Sequence, residues 1–151
     1  MNKLKRSIAE IYWKIFKPKT FGVRALIIDK NKVLLVKHTY LPEWYLPGGG
    51  IKIKESFKNV LKRELYEELG LYPENIKLFG KYTNIKEGKR DTIRVYLVKQ
   101  KIDINKLKPD KKEIVEIKLF NLDQLSKDIS PGSLRRINEY NSELFPLKAT
   151  W

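Results

Sequence analysis

Strand-like runs in mixed order with two helical stretches predict an α+β or α/β fold layered around a mixed β-sheet. Three observations carry that expectation. Residues 21–29 and 32–39 are rich in Val, Ile and Leu and are separated by Asp29-Lys30-Asn31, which reads as a β-hairpin. Phe57, Val60, Leu61, Leu65 and Leu69 recur at a helical period, with Ser56 ahead of them as N-cap and Gly70 behind them as C-cap. Further strand-like runs follow at residues 76–85, 91–98 and 113–120, and Pro131 suits the first position of a last helix over residues 131–140.

The remaining segments are read from smaller signals. Residues 1–19 align Leu4, Ile8, Ile11, Tyr12, Ile15 and Phe16 in one apolar stripe. Lys3, Lys5, Arg6, Lys14 and Lys17 fill much of the other side, and Pro18 is a stop: an extra amphipathic N-terminal helix. Such a helix docks on its own domain or makes a weak contact with an anionic membrane, with Trp13 near the interface. Residues 40–50 read as a loop and a short strand, residues 86–90 as a turn, residues 106–112 as a basic loop around Pro109, and residues 122–125 as a short helix. With no internal repeat and no composition break, residues 20–151 are expected to form a single domain behind the helix at residues 1–19.

Composition narrows the class. A chain of 151 residues, 42% hydrophobic and 33% charged, suits one globular domain with a real core. With no cysteine there is no disulfide framework, and a reducing, cytoplasmic setting is the simplest home. No apolar run approaches the roughly 20 residues of a membrane span, and charges interrupt the apolar positions of the amino terminus, unlike a secretory leader. The formal charge of +14 favours encounter with polyanions. Its lysines are spread from Lys3 to Lys148, so charge alone names no partner.

Residues 49–71, GGIKIKESFKNVLKRELYEELGL, carry the chemistry. Glu64, Glu67 and Glu68 stand at i, i+3 and i+4, so on a helix their Cβ atoms lie roughly 5–6 Å apart on one side. Like charges at that spacing repel, and a hard divalent cation with oxygen ligands converts the repulsion into binding. The motif extends beyond the trio: Gly49, five residues, Glu55, seven residues, then Arg63-Glu64-Leu65-Tyr66-Glu67-Glu68-Leu69-Gly70-Leu71. This resembles the Nudix box, G-x5-E-x7-R-E-U-x-E-E-x-G-U with U aliphatic, and every position is filled. Seven strict positions at roughly 7% usage each would coincide about once in 10⁸ starting points.

The resemblance implies an α/β/α sandwich and a Mg²⁺- or Mn²⁺-dependent hydrolase that cleaves a pyrophosphate bond in a nucleoside diphosphate linked to another moiety. It assigns the metal to the side chains of Glu64, Glu67 and Glu68 and the carbonyl of Gly49. Glu113 is a further carboxylate from outside the box, with Glu116 as its alternative. The general base is Glu67 or Glu64, and Glu55 with Arg63 braces the loop against the helix. Outside the box, Arg24, Lys37 and Trp44 are candidates for substrate contacts, with His38, Tyr40 and Tyr45 beside them. His38, the only histidine, reads as a hydrogen-bonded ring and not a catalyst. Relatives commonly carry glycine where this chain has Lys54, so a positive φ there would strain the lysine. Selectivity resides in loops outside the box. Nucleoside triphosphates, ADP-ribose, dinucleoside polyphosphates and RNA 5′ ends are all candidates, and the basic loop at residues 106–112 adds weight to RNA. A non-catalytic nucleotide-sensing module is the other class of reading, and the intact box counts against it.

Overall fold

Two β-rich segments joined by a two-residue turn seed the sheet: β1 (Phe21–Asp29) and β2 (Lys32–His38) pair antiparallel, with Asp29 opposite Lys32. The computed structural model describes residues 3–4, 21–51, 54–86, 89–144 and 147–151. β3 (Trp44–Tyr45) adds to β2 and β4 (Gly48–Gly50) to β1, both antiparallel. Helix α1 (Phe57–Leu69) follows, then the hairpin of β5 (Ile76–Lys86) and β6 (Lys89–Lys99). A 3-10 turn at Ile104–Lys106 leads to β7 (Ile114–Asn121), helix α2 (Pro131–Asn141) and β8 (Leu147–Thr150).

Among the described residues eight strands form one mixed sheet, β3-β2-β1-β6-β5-β8, with β4 on β1 and β7 on β2. β1 runs parallel to β6 from Phe21↔Thr92 to Ile28↔Lys99. A strand covered on both faces reads as a continuous apolar run, and β1 keeps residues 25–28 fully buried. Val23, Ala25 and Ile27 pack with Val60, Leu61, Leu65 and Leu69 of α1. Leu26 and Ile28 pack with Phe79, Trp44 and Ile137 of α2. The result is the expected α/β/α sandwich. Among the described residues no helix is long and apolar enough to cross a membrane.

Helix α1 is held at both ends. Ser56 Oγ accepts a hydrogen bond from the Asn59 N–H at 3.2 Å. Gly70, at φ 64°, donates its N–H back to Leu65 and Tyr66. The chain before β7 finishes the cap: the N–H groups of Lys108 and Asp110 donate to the carbonyls of Leu69 and Glu68 at 2.8 and 2.9 Å. Carbonyls that a helix end leaves without partners are thereby satisfied, and the basic loop is fixed to the end of the box helix.

Some expectations change. Residues 122–125 form a turn and not a helix, because the Asn121 side chain accepts the Asp123 N–H at 2.9 Å and its carbonyl accepts the Gln124 N–H at 3.0 Å, local bonds that compete with helix formation. β8 and the 3-10 turn were not expected. Of residues 1–19 only Lys3 and Leu4, in helical conformation, are described, so the placement of the amphipathic helix lies outside the described residues, as does the centre of the turn at residues 86–90.

Gly70→Ala tests the cap. A Cβ there would meet the Lys108 Cβ at 3.1 Å and its N at 3.3 Å, and a left-handed φ costs an L-residue about 1–2 kcal/mol. Urea denaturation should show a loss of about that size with little change in slope.

Candidate active site

β4 and α1 meet where the glycine run passes beneath the helix. Gly49 pairs with Val23 in β1. A Cβ built on Gly49 would lie 2.4 Å from Glu64 Cδ and 2.5 and 2.7 Å from its two oxygens, so only glycine lets the backbone come this close to the carboxylate.

Arg63 organises the acids around that contact. Its Nε and Nη2 donate to the two oxygens of Glu55 at 3.2 and 3.0 Å, the bidentate geometry that suits a guanidinium. Its Nη1 donates to Glu64 at 3.1 Å and to Glu67 at 3.2 Å. Glu55 lies in the loop that enters α1, so the fork ties loop to helix. One residue earlier Lys54 has φ 69°, the strained conformation considered for it.

Glu68 is on the inner side of α1. It is 5% exposed and accepts the Gly48 N–H at 3.2 Å. Burial and then the charge of Glu64 push its carboxyl up to about 8, against the pull of Arg24 and the Gly48 N–H; Glu113 adds to the rise. Burial also raises Glu64, with Arg63 opposing it. Arg24 stands opposite Gly48 and donates to the Val23 carbonyl at 3.0 Å. Burial lowers its pKa, while Glu68, Glu64 and Tyr45 act to raise it. Arg24, Glu64, Glu68 and Glu113 therefore share one electrostatic neighbourhood.

His38 closes one side. It is buried, 5.6 Å from the Tyr45 ring, and burial with the Arg24 charge lowers its pKa to about 4. The ring is neutral near pH 7. Glu113 precedes β7 and its carbonyl accepts the Thr39 N–H at 3.0 Å. Glu116 is exposed on β7 opposite Lys37.

A family model for the NUDIX domain matches residues 18–140. The chain belongs to the Nudix family. Membership supports a hydrolase acting on phosphoric anhydrides, and Nudix proteins generally need divalent metal ions. Among solved structures it is similar to a MutT NUDIX hydrolase from Burkholderia pseudomallei, at 24% identity over 79% of this chain and 95% of that one, with a TM-score of 0.70. It is also similar to a UDP-X diphosphatase, at 21% identity over 96% of this chain and 74% of that one, TM-score 0.68. A third likeness is the NUDIX domain of Shewanella oneidensis NrtR, solved with ADP ribose, at 22% identity over 95% and 99%, TM-score 0.68. At these identities the likeness is one of fold.

Within this Nudix domain the structure does not bring every candidate together. Trp44 is buried in the layer beneath α2, its ring 4.9 Å from Phe120, and the Lys37 ammonium lies 5.4 Å from the Trp44 ring centroid. Both are on the sheet face away from the carboxylates. Arg94 went unnoticed in the sequence. The available signal was a charge in step with two core residues, Tyr96 and Val98.

Gly49→Ala should displace the Glu64 carboxylate and lower turnover by on the order of 10²-fold, with the melting temperature close to wild type; near-normal rates would deny the close approach a role. His38 predicts a pH effect. Its folded pKa lies below its ordinary 6.5, so its contribution is intact above that value and is lost as pH falls toward about 4, because the unfolded chain takes up the proton first. Urea titrations at pH 7 and pH 4.5 should show a smaller loss of stability in His38→Gln than in wild type.

Proposed function

We propose that this Nudix chain is a nucleotide pyrophosphohydrolase that uses Mg²⁺ or Mn²⁺ to cleave a nucleoside diphosphate linked to another moiety. The observation that carries the reading is the Glu64 carboxylate lying against the Gly49 backbone while one guanidinium ties Glu55, Glu64 and Glu67. Residues 20–151 would be the catalytic domain, with the helix at residues 1–19 an accessory. The cysteine-free sequence supports a cytoplasmic setting.

The donor chemistry fits a hard cation: the carboxylates of Glu64, Glu67, Glu68 and Glu113, with the Gly49 carbonyl, offer only oxygen. Among the described residues no three His, Cys, Asp or Glu side chains are yet gathered as a metal site. Arg63 holds Glu64 and Glu67, and Glu68 turns to Gly48. Glu67, 56% exposed, is the carboxylate freest to swing inward. When bound, the cation would neutralise the diphosphate and acidify a water.

The chain's own groups would do the rest. Glu67 or Glu64 accepts the proton as water adds to phosphorus and the anhydride P–O bond breaks. Arg63 keeps the remaining carboxylate in place, and Arg24 supplies positive charge beside it. Outward-facing lysines draw polyanions toward the site. The likeness to a UDP-X diphosphatase and to a domain solved with ADP ribose supports a nucleoside diphosphate derivative as substrate class. RNA 5′ ends remain the second reading, because the lysine-rich loop at residues 106–112 is bonded to the carboxyl end of α1 beside Glu68.

A phosphate-release screen over nucleoside triphosphates, sugar nucleotides, dinucleoside polyphosphates and 5′-triphosphorylated RNA, with each metal, tests both readings. Glu67→Gln should lower metal-dependent turnover at least 10²-fold with the fold intact. Full activity in that variant refutes the box-based mechanism. Activity confined to RNA and falling steeply with salt selects the second substrate class.

A further inference from the structure

Arg94 lies outside the carboxylate cluster and has no part in the reaction above. It pairs with Val23, and Val23 pairs with Gly49. Two inter-strand steps put Arg94 about 10 Å from Gly49, backbone to backbone. Tyr96 and Val98 belong to the layer beneath α1, so Arg94, in step with them along β6, takes the same sheet face. Its guanidinium carbon lies 3.8 Å from the centroid of the Phe57 ring. Phe57 opens α1 two turns ahead of Glu64, about 10 Å along the same side of the helix. The Phe21 ring meets Phe57 edge-on at 5.9 Å and is 45% exposed. A cation on an aromatic bed thus stands at one end of α1, with the Gly49–Glu64 contact further along.

The fold makes little use of that cation. Among the described residues Arg94 has no ion pair, and its buried Nε has no hydrogen-bond partner. Leaving a buried donor unmet weakens the fold. The stacking on Phe57 holds the planar fork in a fixed orientation, which is how an arginine is prepared for an oxygen acceptor.

We propose that Arg94 is a specificity-determining residue that binds an oxygen acceptor on the part of the substrate remote from the cleaved bond. This rests on the hydrolase reading. The acceptor is a base carbonyl or the oxygen of a further phosphate. Either lies within the span of an extended nucleotide whose diphosphate rests at Gly49 and Glu64.

Steady-state kinetics separate the two sources. Wild type, Arg94→Ala, Arg94→Met and Arg94→Lys are compared on adenine, guanine and uracil sugar nucleotides, the matching triphosphates and a 5′-triphosphorylated oligonucleotide. Loss of a charge-assisted bond should raise KM about tenfold or more in the Ala and Met variants, with kcat within about threefold. Met keeps an apolar stem on Phe57, so it reports on recognition if Ala lowers the melting temperature. A rise confined to guanine and uracil substrates, not rescued by Lys, identifies a base carbonyl. A rise that follows phosphate number and is rescued by Lys identifies a phosphate. Unchanged KM on every substrate turned over, or a uniform fall in kcat with a lower melting temperature, overturns the assignment while the hydrolase reading stands. Wild type inert on the whole panel overturns both.

Discussion

The Arg63 guanidinium is the tie on which the site depends. Five N–H donors in one rigid plane can satisfy several carboxylates at once, and here they engage Glu55, Glu64 and Glu67. Without that charge, acids one helical turn apart would repel and the start of α1 would lose its ion-pair tie to the loop before it. With it, Glu64 is pressed onto Gly49, and the glycine backbone becomes a wall of the site. A lysine, with its single ammonium point, could not hold both ends.

The rest of the fold makes this concentration of charge tolerable. The sheet is covered on both faces, so α1 has a rigid bed under Val60, Leu61, Leu65 and Leu69. Its carboxyl end is closed by the backbone of residues 108 and 110, and the same segment runs on to Glu113, whose charge reaches Glu68. Glu68 itself is a buried acid beside another acid, with only the Gly48 N–H and the charge of Arg24 to favour ionisation. Such stress within an otherwise well-satisfied framework is what an electrostatically prepared site looks like.

Recognition is arranged differently from the machinery. Trp44, an attractive stacking residue from its position before the glycine run, is a core side chain of the opposite layer. Lys37 covers its ring. His38 is neutral and buried, a wall and not an acid. That leaves Arg24 close to the carboxylates and Arg94 on its aromatic bed as arginines on or beside the carboxylate side of the sheet. The two differ in a telling way: Arg24 is balanced by neighbouring acids, and Arg94 makes no ion pair among the described residues.

The box, its helix, both caps and the strand runs were legible in the sequence because each is a local pattern: a period of 3.6, a Ser or Gly at a helix end, an alternation broken by a turn. The bracing role of Glu55 and Arg63 was what the resemblance to the Nudix box implied, and spacing alone did not give it. What the sequence could not supply was parity and pairing across the sheet. Whether Glu68 faced in, which face took Trp44, and that Arg94 would stand two strands from Gly49 all depend on strands distant in the chain coming into register. The short helix expected at residues 122–125 failed for a smaller reason, a side-chain amide competing for backbone donors. Local chemistry was written residue by residue along the chain; proximity among residues 24, 49, 64, 68, 94 and 113 came only when burial of apolar surface on both faces forced the strands into one order.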